Sequence, residues 1–407
     1  MSNMRVLVSG ASIAGPALAH WLHRRGAEVT VVEQSPRLRP GGQAVDARGV
    51  AKEVIRRMGL DAAVRAACTD TAGAYTVDSD GNVLETYRAE DHDGDGYISE
   101  IEVLRGDFSQ VLYDDTRDNV EYVFGDRIAE LIQNADGVDV TFTSGDRRRF
   151  ELAIGTDGLH SALRAMVFGP REQFVRHLGL VLAFYSVPNE FGLDRWMIDY
   201  QEAGRSAGLR PIQDASRAIA MLSFPAPDFD IDYRDLEAQK RLLREQMAGF
   251  GWLTPSILAH LDDTPDFYLD QVAQVVMDRW SSGRVGLLGD AAFSASPMSG
   301  AGTGLALVGA YLLAGELAAA DWDPAVGFAR YEEQMRSYVE ANQEIGRMHV
   351  QMLTAPDPAT EPGPEPDMAA MTALIDRAVN GPDLPDYEGV PDCGTTAGPL
   401  TTPPAHS

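Results

Sequence analysis

The chain has 407 residues, of which 44% are hydrophobic, and it carries a formal net charge of −27 at pH 7. This length suits two closely joined domains, and the negative charge argues against anionic partners such as nucleic acid or acidic membranes. The two cysteines, Cys68 and Cys393, do not make a disulfide framework, so we expect a reducing, cytoplasmic location. We expect neither a signal peptide nor a membrane span, because the sequence has no suitable apolar run.

The first predicted feature is a βαβ unit, with strands at Arg5–Ser9 and Ala27–Glu33 and a helix at Ala11–Gly26. The first strand and the helix are joined by the segment Gly10-Ala11-Ser12-Ile13-Ala14-Gly15. This segment is a glycine fingerprint in which Ser12 replaces the middle glycine. A helix N-terminus at such a turn can hold a pyrophosphate, and Glu33 can accept hydrogen bonds from an adenosine ribose. Together these features predict nucleotide binding, although each could be an ordinary turn.

The remaining elements are predicted from periodicity and turn residues. Alternating residues from Leu178 to Phe224 indicate an antiparallel sheet, a plausible wall over a bound ligand. A hairpin is predicted at Ala74–Arg88, with its turn at Asp80-Gly81. Further strands are predicted at Ala153-Ile154, Phe267–Met277 and Val285–Leu288. Further helices are predicted at Gly49–Met58, Asp107–Thr116, Leu236–Phe250, Gly304–Ala320, Ala325–Met352 and Met368–Val379.

Two more glycine-rich motifs each follow a short apolar strand. The first is Gly155-Thr156-Asp157-Gly158, followed by Ser161 and Arg164. The second is Gly289-Asp290-Ala291-Ala292, followed by Pro297 and then Gly300-Ala301-Gly302-Thr303-Gly304. An aspartate at a strand end can hydrogen-bond a polyol chain, and a glycine-rich helix start directs unpaired N–H groups at an electron-rich group.

In this order the motifs resemble those of the class A flavoprotein monooxygenases. The set is GxSxxG…E, LRGDF, GTDG…S…R and GDAA…P…GAGTG, and the similarity covers roughly residues 4 to 345. The family includes p-hydroxybenzoate hydroxylase and, nearer in appearance, tetracycline-inactivating and polyketide-tailoring monooxygenases. The resemblance implies an α/β fold, with a Rossmann-like FAD-binding domain interleaved with an antiparallel-sheet substrate domain.

The domain boundaries that we predict from this resemblance are discontinuous. The FAD-binding domain would comprise residues 1–70, 101–172 and 278–322, and the substrate domain residues 71–100 and 173–277. A C-terminal helix would occupy residues 323–352. Residues 353–407 would form a Pro-rich acidic tail with one possible short helix.

The resemblance implies non-covalent binding of FAD and assigns a role to each matching position. The ADP part would be bound by Gly10, Ser12, Ile13, Ala14, Gly15 and Glu33, the pyrophosphate or ribityl region by Arg105, Gly289 and Asp290, and the isoalloxazine ring by Pro297, Gly300, Ala301 and Gly302. Gln43 and Asp46 would lie in a loop beside the flavin, and Asp157 belongs to a motif associated with both FAD and NAD(P)H. Phe293 and Gly304 depart from the family pattern, which predicts altered flavin contacts. The resemblance assigns no catalytic side chain and no metal.

The reaction implied by the resemblance uses NAD(P)H as co-substrate and O₂, with a flavin C4a-hydroperoxide that hydroxylates an aromatic or polyketide-type small molecule. No second glycine fingerprint is present, so NAD(P)H would dock transiently on the FAD domain. The candidate wall residues of the substrate site are Phe184, Trp196, Met197, Tyr200, Met221 and Phe224.

Several alternatives remain open at this point. The same scaffold could carry out Baeyer–Villiger-type oxygen insertion on a polyketide, act as a flavin-dependent reductase, or act as a halogenase, although the WxWxIP motif of halogenases is not seen. A non-enzyme alternative is a flavin-retaining protein that sequesters a ligand.

A different motif suggests calcium. Residues Asp91–Glu102 match an EF-hand loop, with acidic side chains at positions one, three, five and twelve and glycine at position six. The segment before the loop closes the predicted hairpin, and Ile101–Leu104 is predicted to be a strand. We therefore expect a solvated acidic turn rather than a physiological calcium site.

Overall fold

The computed structural model describes residues 4–226, 231–232, 235–354 and 368–387, except for the side chains of His92 and Asp93. The strands, numbered along the chain, are β1 Arg5–Ser9, β2 Glu28–Glu33, β3 Ala44–Asp46, β4 Gly73–Val77, β5 Val83–Arg88, β6 Glu102–Leu104, β7 Glu121–Phe124, β8 Ile128–Asn134, β9 Gly137–Phe142, β10 Arg147–Phe150, β11 Leu152–Gly155, β12 Val175–Pro188, β13 Trp196–Glu202, β14 Arg205–Pro211, β15 Arg217–Pro225, β16 Tyr268–Val275, β17 Ser281–Ser282 and β18 Val285–Leu287. The helices are α1 Ala14–Arg24, α2 Val50–Met58, α3 Asp61–Ala66, α4 Arg105–Thr116, α5 Ala162–Val167, α6 Leu236–Gln246, α7 Thr254–Ala259, α8 Asp290–Phe293, α9 Gly302–Ala319, α10 Pro324–Thr354 and α11 Met368–Asn380.

The first large sheet has the strand order β17-β18-β11-β1-β2-β7. From β18 to β7 neighbouring strands are parallel, although they come from widely separated parts of the sequence. The strands are short, apolar and almost completely buried, as expected for a parallel sheet with both faces covered. Their carboxyl ends lie along one edge, which is where open α/β sheets bind ligands.

Helix α9 forms the centre of this half of the molecule. It is apolar on every side and is buried along nearly its whole length, with α1, α2 and α10 packed around it. Among the described residues, it is the one helix long and apolar enough to cross a membrane. Because it is mostly covered by protein, its composition is that of a core helix.

The second large sheet has the strand order β16-β12-β15-β14-β13-β4-β5. One of its faces packs against α6 and α7 in an apolar core. The opposite face is turned towards the first sheet, as shown by the contact of β16 with α8 and by the ion pair between Arg210 of β14 and Glu102 of β6. A ligand cleft can therefore form between this face and the strand ends of the first sheet.

Most of the predicted elements are confirmed, but α6 ends at Gln246 rather than Phe250, and the elements not predicted include α3, α5, α7 and β7. Helix α1 begins at Ala14 rather than Ala11, because the glycine turn occupies the residues before it. The hairpin β4–β5 also pairs with β13 in parallel, so it belongs to the larger sheet. The antiparallel sheet β8–β9–β10 was not predicted. The domain boundaries remain a prediction.

Candidate functional site

The β1–α1 turn packs directly on the segment that follows β11. A Cβ atom at Gly10 would lie 2.6 Å from the carbonyl oxygen of Thr156, and Gly10 has a φ of +114°. A Cβ atom at Gly15 would lie 1.9 Å from the carbonyl oxygen of Gly10. The hydroxyl of Thr156 donates to the carbonyls of Ser9 and Gly10, which fixes the two loops together. These glycines are therefore required by the packing of the turn itself.

Ile13 occupies the N-cap position before α1. Its apolar side chain is buried in the core and provides no cap for the helix. Glu33, at the end of β2, accepts hydrogen bonds from the backbone N–H groups of Ala11 and Ser35, at 2.9 Å each. The carboxylate therefore lies beside the turn, where an adenosine ribose would be placed by a nucleotide on this edge. The uncapped N–H groups of the first helical turn remain available to an anion.

Arg105 lies at the junction of β6 and α4, on the other side of the same turn. Its Nη1 donates to the Ser12 hydroxyl at 3.1 Å, and its backbone N–H donates to the Gln43 carbonyl at 3.0 Å. Burial lowers the pKa of Arg105, and the nearby Arg39 charge adds to this effect. No carboxylate in the described part of the chain forms an ion pair with Arg105. A desolvated guanidinium without a counter-ion is suited to binding a phosphate.

The GTDG motif has mainly a structural role in this geometry. The Asp157 carboxylate accepts hydrogen bonds from the Ser161 hydroxyl and from the backbone N–H groups of Ala162 and Leu163, at the start of α5. Buried Arg164 then joins this motif to the next one, by donating to the carbonyls of Leu159 and Ala291. The Asp157 side chain is thus occupied by α5, and any contact with a cofactor would come from its backbone.

Gly289 and Asp290 follow β18 at the same edge. A Cβ atom at Gly289 would lie 3.2 Å from the Cβ of Ala14, so this turn and the start of α1 are in contact. Asp290 is exposed to solvent, yet desolvation by the surrounding protein raises its pKa, partly offset by Ser294 and Arg164. A carboxylate that solvent can reach, but that is largely surrounded by protein, lies inside an open cleft. There it can accept hydrogen bonds from a polyol.

The residues before α9 form the next wall of this cleft. Pro297 and Gly302 are exposed, Ala301 is half-buried, and Gly300 has a φ of +67°. Among the described residues, no side chain caps α9, and beyond the neighbouring residues and the helix's own backbone no heavy atom lies within 4 Å of a Cβ atom placed at Gly302. The N-terminus of this helix therefore opens into free space, where its N–H groups can stabilise an electron-rich ring.

Asp46 lies at the end of β3, close to this helix start. Its Oδ2 would be 3.8 Å from a Cβ atom at Gly300, and it accepts a hydrogen bond from Arg48 at 2.9 Å. Burial raises the pKa of Asp46 to about 6, although the charge of Arg48 acts in the opposite direction. The structure thus brings Asp46 beside the start of α9. For Gln43 it shows the backbone contact with Arg105.

Three of the candidate wall residues lie on the face of the second sheet that is turned towards this cleft: Phe184, Met197 and Met221. Phe184 and Met221 are paired across β12 and β15, and Met197 packs with Met221 in a small cluster. The ring of Phe184 also stacks on Tyr268 of β16, with centroids 6.4 Å apart. Phe184 and Met221 are half-buried and can form an apolar wall of the cleft, whereas Met197 is buried with Ala74 and Ile98.

The other three candidates, Trp196, Tyr200 and Phe224, lie on the opposite face, so the sequence-based list is corrected for them. Tyr200 and Phe224 are buried in the core against α6 and α7. Trp196 stacks on Tyr75 on the same side, with centroids 4.5 Å apart. The reason is the two-residue period of a strand, which separates these residues from the cleft-facing set.

Sequence reasoning missed several residues of the cleft. Tyr268 is 44% exposed and donates to Asp270, which also pairs with His160. Asp199 and Arg210 are polar residues within apolar strands of the wall. In the sequence, each of these residues is a charged side chain within a largely apolar strand. Which face of the sheet carries that side chain is visible only in the structure.

The described acidic side chains of the EF-hand-like loop are bound by other groups of the protein. Glu102 accepts hydrogen bonds from the hydroxyls of Thr69 and Thr71 and pairs with Arg210. Lys52 pairs with both Asp95 and Glu100. Among the described residues, no group of three or more His, Cys, Asp or Glu side chains is placed to hold a metal ion. The twelfth position of the loop is therefore used inside the fold.

The chain matches the family model described as FAD binding domain over residues 3–344. An uncharacterized protein of Mycobacterium tuberculosis (strain ATCC 25618 / H37Rv) is 48% identical over 339 residues, which cover 83% of this chain and 91% of that protein. A flavin-dependent monooxygenase of Legionella longbeachae is 36% identical over 386 residues, covering 95% of this chain and 99% of that protein. The crystal structure of tetracycline destructase Tet(55) is similar with a TM-score of 0.83 and 36% identity, over 95% of this chain and 99% of that chain.

Proposed function

Since the chain belongs to the class A FAD-dependent monooxygenases and has their p-hydroxybenzoate hydroxylase-like fold, we propose that it uses NAD(P)H and O₂ to hydroxylate an aromatic or polyketide-type small molecule. The observation that carries the proposal is the cleft between two walls. One wall is the strand-end edge with Asp290 and the start of α9, and the other is the apolar row with Phe184 and Met221. A cytoplasmic location fits the low cysteine content and is part of the proposal.

The residues of the strand-end edge fit an extended flavin dinucleotide. We assign the pyrophosphate to the start of α1, whose N–H groups have no side-chain cap, and to Arg105, which forms no ion pair with a described carboxylate. Asp290 would accept hydrogen bonds from the ribityl chain, and the start of α9 would stabilise negative charge on the isoalloxazine ring. When bound, FAD accepts a hydride from NAD(P)H and activates O₂, which supplies the chemistry that no side chain offers.

The second sheet would hold the substrate and exclude water. Phe184 and Met221 provide an apolar surface on which a flat ring system can pack. The tetracycline destructase similarity supports a polycyclic, polyketide-type substrate, since tetracyclines have fused rings. Positioning a flat ring against the flavin is the main task left to the protein.

The test is turnover under labelled oxygen. The FAD-loaded protein is incubated with NADPH or NADH and a panel of phenols and polycyclic polyketides, and NAD(P)H oxidation and product mass are followed. We expect a ligand that accelerates NAD(P)H oxidation and gains one ¹⁸O atom from ¹⁸O₂. A product without ¹⁸O would indicate a reductase, and NAD(P)H oxidation that no ligand accelerates would indicate a ligand-sequestering protein. NMR of a labelled product separates ring hydroxylation from Baeyer–Villiger-type insertion, which has the same mass change.

A further inference from the structure

One row of residues crosses the cleft-facing side of the second sheet. Adjacent strands are paired in register so that five residues lie side by side, and residues paired in this way share a face of the sheet. From β16 to β13 the row is Tyr268, Phe184, Met221, Gly208 and Asp199. The row is aromatic and apolar at one end and carries a carboxylate at the other.

Gly208 creates the space in which this carboxylate lies. A Cβ atom at Gly208 would lie 2.1 Å from Oδ1 of Asp199 and 3.2 Å from Cε of Met221. The Asp199 side chain thus leans over β14 towards Met221, into the row. Asp199 is only 9% exposed, and it accepts a 3.3 Å hydrogen bond from the Tyr97 hydroxyl. A buried carboxylate with a single long hydrogen bond retains unused acceptor capacity.

The charges around Asp199 do not balance. The surrounding ionic groups form two pairs, Arg48 with Asp46 at 2.9 Å, and Arg210 with Glu102. Glu102 is held ionised, because Arg210 and the hydroxyls of Thr69 and Thr71 outweigh the effect of burial and lower its pKa. The two cations are thus paired with two other carboxylates. Asp199 is left as the excess negative charge of the wall.

Resting on the proposed function, we infer that Asp199 sets the substrate class. It accepts a hydrogen bond from a hydroxyl or amide donor on a neutral ring system, and it repels ring systems that carry a carboxylate. The apolar part of the row, with Phe184 and Met221, packs on the ring itself. The arrangement selects phenolic or enolic polycyclic compounds over aromatic acids.

The ionisation of Asp199 gives this selection a pH dependence. Burial raises the pKa of Asp199 to about 6, against the charge of Arg210 and the hydrogen bond from Tyr97, which both lower it. These are the groups that face it from β14 and from the loop before β6, and Thr76, its partner on β4, carries no charge. Asp199 is therefore ionised well above this pKa and neutral well below it. The repulsion of a carboxylate ligand should be present at alkaline pH and lost as the pH falls through the pKa.

The test compares two ligands with the same fused ring system, 2-naphthol and 2-naphthoate, by their perturbation of the flavin absorbance of the FAD-loaded protein. At about pH 8 we expect naphthol to bind roughly tenfold more tightly than naphthoate. In Asp199→Asn this preference should fall about tenfold, because the repulsive charge is gone while the shape is kept. The parent should lose its preference at about pH 5, whereas Asp199→Asn should show a clearly smaller change over this range, in which Asp46 also titrates.

Two further variants separate this role from a merely structural one. Glu202→Gln removes an acidic side chain from the end of the same strand, where it is exposed and bound to Tyr200, and should leave the preference unchanged. Gly208→Ala should displace the Asp199 carboxylate and reduce the preference without removing its charge. The FAD content of each variant shows that the fold is kept.

The inference is overturned if the parent binds naphthoate as tightly as naphthol at about pH 8, if Asp199→Asn keeps the parent's preference, or if neither ligand binds. These measurements need no turnover. Failure of ¹⁸O incorporation would therefore contradict the proposed function and leave the ligand preference standing. Absence of the ligand preference would overturn this inference and leave the proposed function standing.

Discussion

At the scale of single residues, the glycines of the glycine-rich motifs have different structural roles. Gly10 and Gly15 are fixed by contacts within the protein, since a side chain at either would collide with backbone atoms. Gly302, by contrast, opens onto free space at the start of α9. The first two serve the packing of the strand-end edge, and the third leaves room for what binds there.

The substitution Gly15→Ala should therefore destabilise the protein itself. Its Cβ atom would lie 1.9 Å from the carbonyl oxygen of Gly10, which is part of the backbone and cannot move aside cheaply. We expect a loss of about 3 kcal/mol or more in the free energy of unfolding, seen as a lower thermal midpoint even without FAD. Gly302→Ala is the matched control, and an unchanged midpoint for Gly15→Ala would contradict this assignment.

In contrast to Gly15→Ala, Asp290→Ala should weaken FAD binding and leave the fold intact. Because desolvation raises the folded-state pKa of Asp290, its ionised form opposes folding at neutral pH, and its removal should not lower the thermal midpoint of the apoprotein. We expect FAD affinity to fall by about tenfold or more, measured as the ratio of flavin to protein absorbance. Asp80→Ala, an exposed acidic residue in the β4–β5 turn, is the control. A variant as yellow as the parent would show that Asp290 does not contact the ribityl chain.

At the scale of elements, the apolar runs and glycine turns in the sequence were sufficient to predict four of the five parallel strands of the first large sheet, all but β7, and the helices α9 and α10. The β8–β10 sheet was missed, although its strands alternate and its turns contain Asp136-Gly137 and Ser144-Gly145. The sequence predicted where the second sheet lies along the chain, but not which of its residues face the cleft. Both faces of the second sheet are apolar, one against α6 and α7 and one towards the cleft, so Tyr200 and Met221 could not be assigned to a face from the sequence.

Helix α11 and the residues after it pack against the core around α9, although they lie far from α9 in the sequence. The Tyr387 ring fits against Gly315 of α9, where a Cβ atom would lie 2.1 Å from it, and its hydroxyl donates to Glu316 at 2.8 Å. Pro385 accepts hydrogen bonds from Arg57 and Tyr311. The segment is thus part of the packing around α9, which composition alone did not reveal.

Tyr387→Ala should consequently lower the thermal midpoint, because it leaves a cavity beside α9. Removal of a buried aromatic ring costs about 3 kcal/mol, reduced if the segment detaches locally. Tyr387→Phe keeps the ring and loses only the hydrogen bond to Glu316, so we expect a loss of about 1 kcal/mol. Equal midpoints for the alanine and phenylalanine variants, measured by circular dichroism, would show that the ring is not packed as described.

At the scale of the whole molecule, the two large sheets face each other across one cleft. The strand-end edge contributes two helix N-termini without side-chain caps and the guanidinium of Arg105, which forms no ion pair with a described carboxylate. The second sheet contributes an apolar row that ends in Asp199. Residues from the beginning, the middle and the end of the sequence meet there. The central claim is that this edge binds one FAD molecule in an extended form.

The most direct measurement is the uptake of FAD by the purified full-length chain. The protein is stripped of flavin and titrated with FAD, and absorbance in the flavin bands and quenching of flavin fluorescence are recorded. We predict saturable binding of one FAD per chain, with all of the flavin released intact on unfolding, since the binding is non-covalent. A chain that is folded, shows no flavin bands when purified and takes up no added FAD would contradict the account.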